Sequence, residues 1–205
     1  MKNSFFAAAG LSLTLLLAHP TMAQQGQHAG HKTASQTGGN ALMKAMQSGM
    51  NKMMSMKMTG DPDHDFAMML KMHHQSAVDM AELELKQGQN AQVKALASKI
   101  KSSNQKQIGE LTQFMGSHKP QPASSMLGKE AMQIMHSGSH SMNGNIDHDF
   151  ASMMAQHHQQ GIDVAKAFLK EGKTEKMKTM ARQVIQQQSK EVSELKKLEN
   201  QVASR

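Results

Sequence analysis

A chain of 205 residues with 22 Met, 12 His, no Cys and 3% aromatic residues must build its core from aliphatic side chains and thioethers. Thiolate metal sites and disulfides are excluded. The formal net charge of +7 is spread along the chain, with no basic block interleaved with aromatics, which sets nucleic acid aside as a partner.

In chain order, residues 1–23 have the layout of a secretory signal: Lys2 as a basic start, an apolar run over 5–18, and Thr21-Met22-Ala23 at the cleavage point. That run is shorter than the ~20 residues needed to span a bilayer, and no later stretch is apolar enough. The mature chain is therefore expected to be exported to the periplasm, with no membrane span. Residues 24–40, rich in Gln, Gly, Ser and Thr, read as a flexible leader. Residues 41–60 form a methionine-rich segment in which Met43, Met46, Met50, Met53 and Met54 fall at helical steps of three and four.

From there the chain repeats itself. DHDFAMMLKMHHQSAVDMAELELKQG (63–88) is answered without a gap by DHDFASMMAQHHQQGIDVAKAFLKEG (147–172), a constant offset of 84. The lead-ins echo too, Ala45-Met46-Gln47 against Ala131-Met132-Gln133. Each copy reads as two helices and a short turn. Asp61-Pro62 supplies a cap and a first-position Pro. Gly88 and Gly172 are expected to end the first helices in left-handed conformation, and Asn90 and Thr174 to cap the second. The expected organisation is a first hairpin over 61–117, a linker over 118–145 with a short helix at 129–136, and a second hairpin over 146–205. One hairpin leaves its apolar face open; two close it, giving an all-α antiparallel four-helix bundle.

On a helical wheel, Met69, His73, His74 and Met80 lie within one apolar sector of about 160°. In the second copy Met153, Met154, His157 and His158 repeat the layout, with Gly161 and Val164 in place of Ala77 and Met80. Met69 with His73, Met153 with His157, and Met154 with His158 are four apart, so their side chains meet on one face. Thioether beside imidazole suits copper, the cuprous ion above all and the cupric ion second. These eight residues are the expected metal ligands. Met46, Met50, Met53, Met54, Met72, His136 and His140 are additional candidates. Antiparallel pairing of each hairpin about its turn sets Asn104 opposite His73 and Gln188 opposite His157, where the amides could orient the imidazoles. The plainer reading is a buried His satisfied by an amide, with Met as core filler.

The duplicated DHDFxxMxxxHHxxxxDxA pattern, with Met154 extending it to MM in the second copy, resembles a ferritin-like bacterial family of unknown function, whose better-understood members include a periplasmic copper-binding protein. The resemblance covers residue 41 to the end. It implies a ferritin-like four-helix bundle and copper binding in the periplasm, with Met69, His73, His74, Met153, His157 and His158 at the functional positions. A di-iron centre is not expected, because Leu70, Lys71, Met154 and Ala155 stand where Glu would precede each His by three. The expected function is a non-enzymatic copper chaperone, storage or resistance factor that exchanges metal ions, and in one form passes them to another copper-handling protein. The alternatives are a metal-dependent redox enzyme, or a structural or partner-binding bundle without metal.

Overall fold

The structure is a computed structural model that describes residues 28–137 and 142–203. The expected signal peptide over 1–23 and His140 lie outside the described residues. Within them the chain is all helical: α1 (His28–Met54), α2 (Pro62–Gln87), α3 (Ala91–Ser117), α4 (Leu127–His136), α5 (Ile146–Glu171) and α6 (Glu175–Ala203). None of these helices is long and apolar enough to cross a membrane.

The two copies form two hairpins, α2–α3 and α5–α6, which pack together chiefly through α2 and α5. Phe66 stacks on Phe168 with ring centroids 4.1 Å apart, and His73 on His157 at 3.7 Å. The pairing numbers rise on one helix as they fall on the other, so α2 and α5 run antiparallel and cross at the histidines. Two apolar clusters flank that crossing. One holds Met53, Phe66, Met69, Leu70, Met135, Val164 and Phe168; the other holds Leu42, Met46, Ala77, Met80, Phe150, Met153 and Met154.

The repeated Asp-His-Asp is a structural device. Asp61 caps α2 by accepting from the amides of Asp63 and His64 at 2.9 and 3.0 Å, and Asn145 caps α5 in the same way. Asp65 accepts from the amides of Thr59 and Gly60 at 2.8 and 2.9 Å. Asp149 does likewise for Asn143 and Gly144 at 2.9 and 3.2 Å. These bonds fold each lead-in back onto its helix start, which puts Gly60 and Gly144 at φ 84° and 86°, open to glycine at little cost. The first acid of each motif crosses to the other hairpin. Asp63 accepts from the amides of Lys173 and Thr174, both at 2.9 Å; Asp147 accepts from those of Gln89 and Asn90, at 2.9 and 2.8 Å. Each hairpin thus caps the other's turn.

Two expectations need correction. Gly88 and Gly172 are not left-handed: their φ values are −62° and −56°. Glycine is needed there for room, since a Cβ would run into the Glu84 carboxyl at one and the Phe168 ring at the other. Residues 28–40 are not an irregular leader but the start of α1, which lies along α2 and reaches α5. Composition misled because Gly38-Gly39 serves as a contact face. A Cβ on Gly38 would lie 2.6 Å from Ile146 Cδ1, and one on Gly39 2.8 Å from Asp149 Oδ2. α1 is thereby docked, with Leu42, Met46 and Met53 buried.

Candidate metal centre

His73, His74, His157 and His158 are all buried, at 4% exposure or less. Their two motifs face each other because α2 and α5 cross there. His73 Nε2 lies 2.9 Å from the His157 carbonyl oxygen. A carbonyl can only accept, so the proton sits on Nε2 and leaves Nδ1 with its lone pair. That Nδ1 is buried and has no hydrogen-bond partner. Burial first, and then the neighbouring His158, push the His73 pKa down to about 3, so the ring is neutral at pH 7 and able to bind metal.

A small cavity of about 10 Å³ adjoins this ring. Four helices line it: α1 gives Met53, α2 gives Met69, Leu70 and His73, α4 gives Ala131 and Met135, and α5 gives Gly161 and Val164. Three thioethers and one neutral imidazole meet there, and no charged side chain lines it. Gly161 is required: a Cβ on it would lie 2.5 Å from Gln188 Oε1 and 2.7 Å from His73 Cε1. α4 is held over the cavity by Gln160, whose Nε2 donates to the carbonyls of Met135 and Ser137 at 3.2 Å each.

The remaining candidates divide. Met80, Met153, Met154 and Met46 pack in the other apolar cluster, away from Met69 and the cavity. Met72 packs partly buried against the first cluster. Met50 is half-buried, while Met54 and His136 are exposed, the His136 Nδ1 lying 2.8 Å from the Met132 carbonyl of its own helix. Among the described residues no three His, Cys, Asp or Glu side chains gather as a metal-binding group, so the four histidines do not form one centre.

The polar layer expected at Asn104 and Gln188 exists, both residues being 2% exposed. For Asn104 the bonding differs from the expectation. Asn104 Nδ2 donates to the Ile100 carbonyl of its own helix at 2.8 Å. His73 is oriented by the His157 carbonyl, on which its Nε2 sits at 2.9 Å.

His74 and His158 belong to a separate polar chain. His158 Nε2 is 2.9 Å from Glu191 Oε2, close enough for an ion pair though poorly aligned for a hydrogen bond. Glu191 Oε1 accepts from Gln187 at 2.9 Å, and Gln187 Oε1 accepts from Gln107 at 3.3 Å. Gln107 approaches His74, although neither His74 nitrogen makes a well-aligned bond. Burial, then His73 and His158, hold His74 well below its usual pKa. Sequence reasoning missed Glu191, Gln187 and Gln107, and left Met135 out of the ligand set. The signal was available for one: the register that sets Gln188 opposite His157 also sets Gln187 opposite His158.

Fold and site define a duplicated helical hairpin with a thioether–imidazole cavity at its crossing. The family model described as "Domain of unknown function (DUF305)" matches residues 63–199, more than half of the chain, and the protein belongs to that family. Among the curated proteins none matches. The crystal structure of a DUF305 fragment from Deinococcus radiodurans is similar at 20% identity, with a TM-score of 0.53 over 68% of this chain and 96% of that one. At that identity the likeness speaks for the fold. Met53 lies outside the stretch matched by the family model.

Proposed function

We propose that this protein binds cuprous ion in the cavity between Met53, Met69, Met135 and His73, as an exported copper chaperone, storage or resistance factor. The observation that carries the reading is the donor set. Soft thioethers and a neutral imidazole with an unpartnered nitrogen favour a soft ion. The uncharged lining favours a single positive charge over a double one, because desolvating a divalent ion without a counter-charge is far costlier. Cupric ion is the second choice on the same ground. His73 binds through its lone-pair nitrogen, the His157 carbonyl fixes its tautomer, and the Met side chains adapt around the ion.

Export to the periplasm follows from Lys2, the apolar run over 5–18 and Thr21-Met22-Ala23. The finer placement among ferritin-like copper-binding members rests on the duplicated HDF and HH motif. A second copper-handling protein is the natural donor or acceptor of the ion.

The test is a competition titration of the mature chain with cuprous ion against a chelator of known affinity. The expected dissociation constant is well below about 1 µM, weakened about tenfold or more by His73→Ala and by Met69→Leu. Binding at about 1 µM or weaker, or indifference to both substitutions, overturns the reading.

A further inference from the structure

The duplication supplies two sets of ligand-type residues around one pseudo-twofold crossing. The offset of 84 carries Met69, Leu70 and His73 onto Met153, Met154 and His157. It likewise relates the cavity's far wall, Gly161 and Val164, to Ala77 and Met80. The ligand positions are kept and the walls are not. Val164 is short and stops at the cavity edge. Met80, whose side chain reaches two heavy atoms further than that of Val, is fully buried in the cluster that also holds Met153 and Met154.

The outer wall differs as well. The lead-in echo that aligns Ala131 with Ala45 aligns Met135 with Gly49. Met135 lines the cavity from α4. Gly49 has no side chain to offer, and α1 presses it so close to α2 that a Cβ would lie 2.7 Å from both Cβ and Oγ of Ser76. One half therefore has a third-helix thioether and a small far wall. The other has a backbone contact and a longer, fully buried Met80.

We infer that the chain takes up a single cuprous ion, not one per repeat, and that Val164, Gly161 and Met135 are the specificity-determining residues that make the first half receptive. Met80, Ala77 and Gly49 close the second half, where Met153 is packing. This inference rests on the copper reading above.

The experiment is native mass measurement of the full mature chain loaded with chelator-buffered cuprous ion, with affinity by competition. The near-isosteric pair Met69→Leu and Met153→Leu probes equivalent positions with little effect on folding. Wild type is expected to carry one ion. Met69→Leu should weaken binding about tenfold or more, and Met153→Leu should leave it unchanged. Val164→Met, checked for folding by circular dichroism, should close the site; Met80→Val with Ala77→Gly should open a second. Two ions on wild type, or equal loss from Met69→Leu and Met153→Leu, overturns the inference and leaves the copper reading standing. No ion on wild type overturns both.

Discussion

His73 and His157 meet twice: their rings stack at 3.7 Å between centroids, and the carbonyl of the second holds the Nε2 proton of the first. The second contact needs α5 to come close, which Gly161 permits. Gly161→Ala should therefore push His73 off its carbonyl partner. The expected outcome is a loss of about 1–3 kcal/mol of stability from overpacking, together with cuprous affinity weakened about tenfold. Urea denaturation and chelator competition on the same sample read both. Unchanged affinity would show that His73 is not held through this approach.

The crossed caps are separable. Asp63→Ala and Asp147→Ala each strip a carboxylate from two backbone amides. Each should cost about 1.5–3 kcal/mol, the range for hydrogen bonds to a charged group. The two sites lie at opposite ends of the α2–α5 pair, so the double variant should cost close to the sum. Denaturant midpoints of the three variants check this.

Glu84 is fully buried beside Asp147 of α5, with Lys94 of α3 the nearby cation. Burial first, then Asp147, raises its pKa from 4.5 to about 9, with Lys94 opposing. Unfolded, the group ionises near 4.5; folded, it keeps its proton. The folded state thus binds more protons between those values, and stability drawn from Glu84 is complete below 4.5 and falls as pH rises through that window. Glu84→Gln should melt higher than wild type at pH 8, by at least about 2–4 °C, the equivalent of 1 kcal/mol for a chain of this size. The difference should shrink toward pH 5. Parallel melting curves at both pH values would refute the assignment.

Phe168 occupies in the second copy the place of Glu84 in the first, and it stacks on Phe66. Phe168→Ala should cost about 3–5 kcal/mol, measured by chemical denaturation. Among the described residues Phe150, in the second apolar cluster, has no such ring partner, so Phe150→Ala should cost less.

The hairpins were legible because a gapless repeat with caps at Asp61 and Asn90 leaves little choice of architecture. Met69 and His73 were legible as candidates from their i,i+4 spacing, and Met53 from helical steps of three and four, because such spacing is a local property. Other features depended on contacts that one helix does not encode. Gly38-Gly39 reads as a loop until a second helix is placed on it. Gly88 reads as a left-handed stop until the Glu84 carboxyl is seen beside it. Met80 and Met153 carry the same periodicity as Met69, and only the volume across the crossing tells packing from a ligand wall.

The crossed caps also make each hairpin dependent on the other. The first turn finds the carboxylate for Gln89 and Asn90 only at Asp147, 58 and 57 residues further along the chain. Asp63 in turn waits for Lys173 and Thr174, 110 and 111 residues on. Neither hairpin alone holds the acceptors for its own turn, so the two ends of the bundle are tied off only when both hairpins are present.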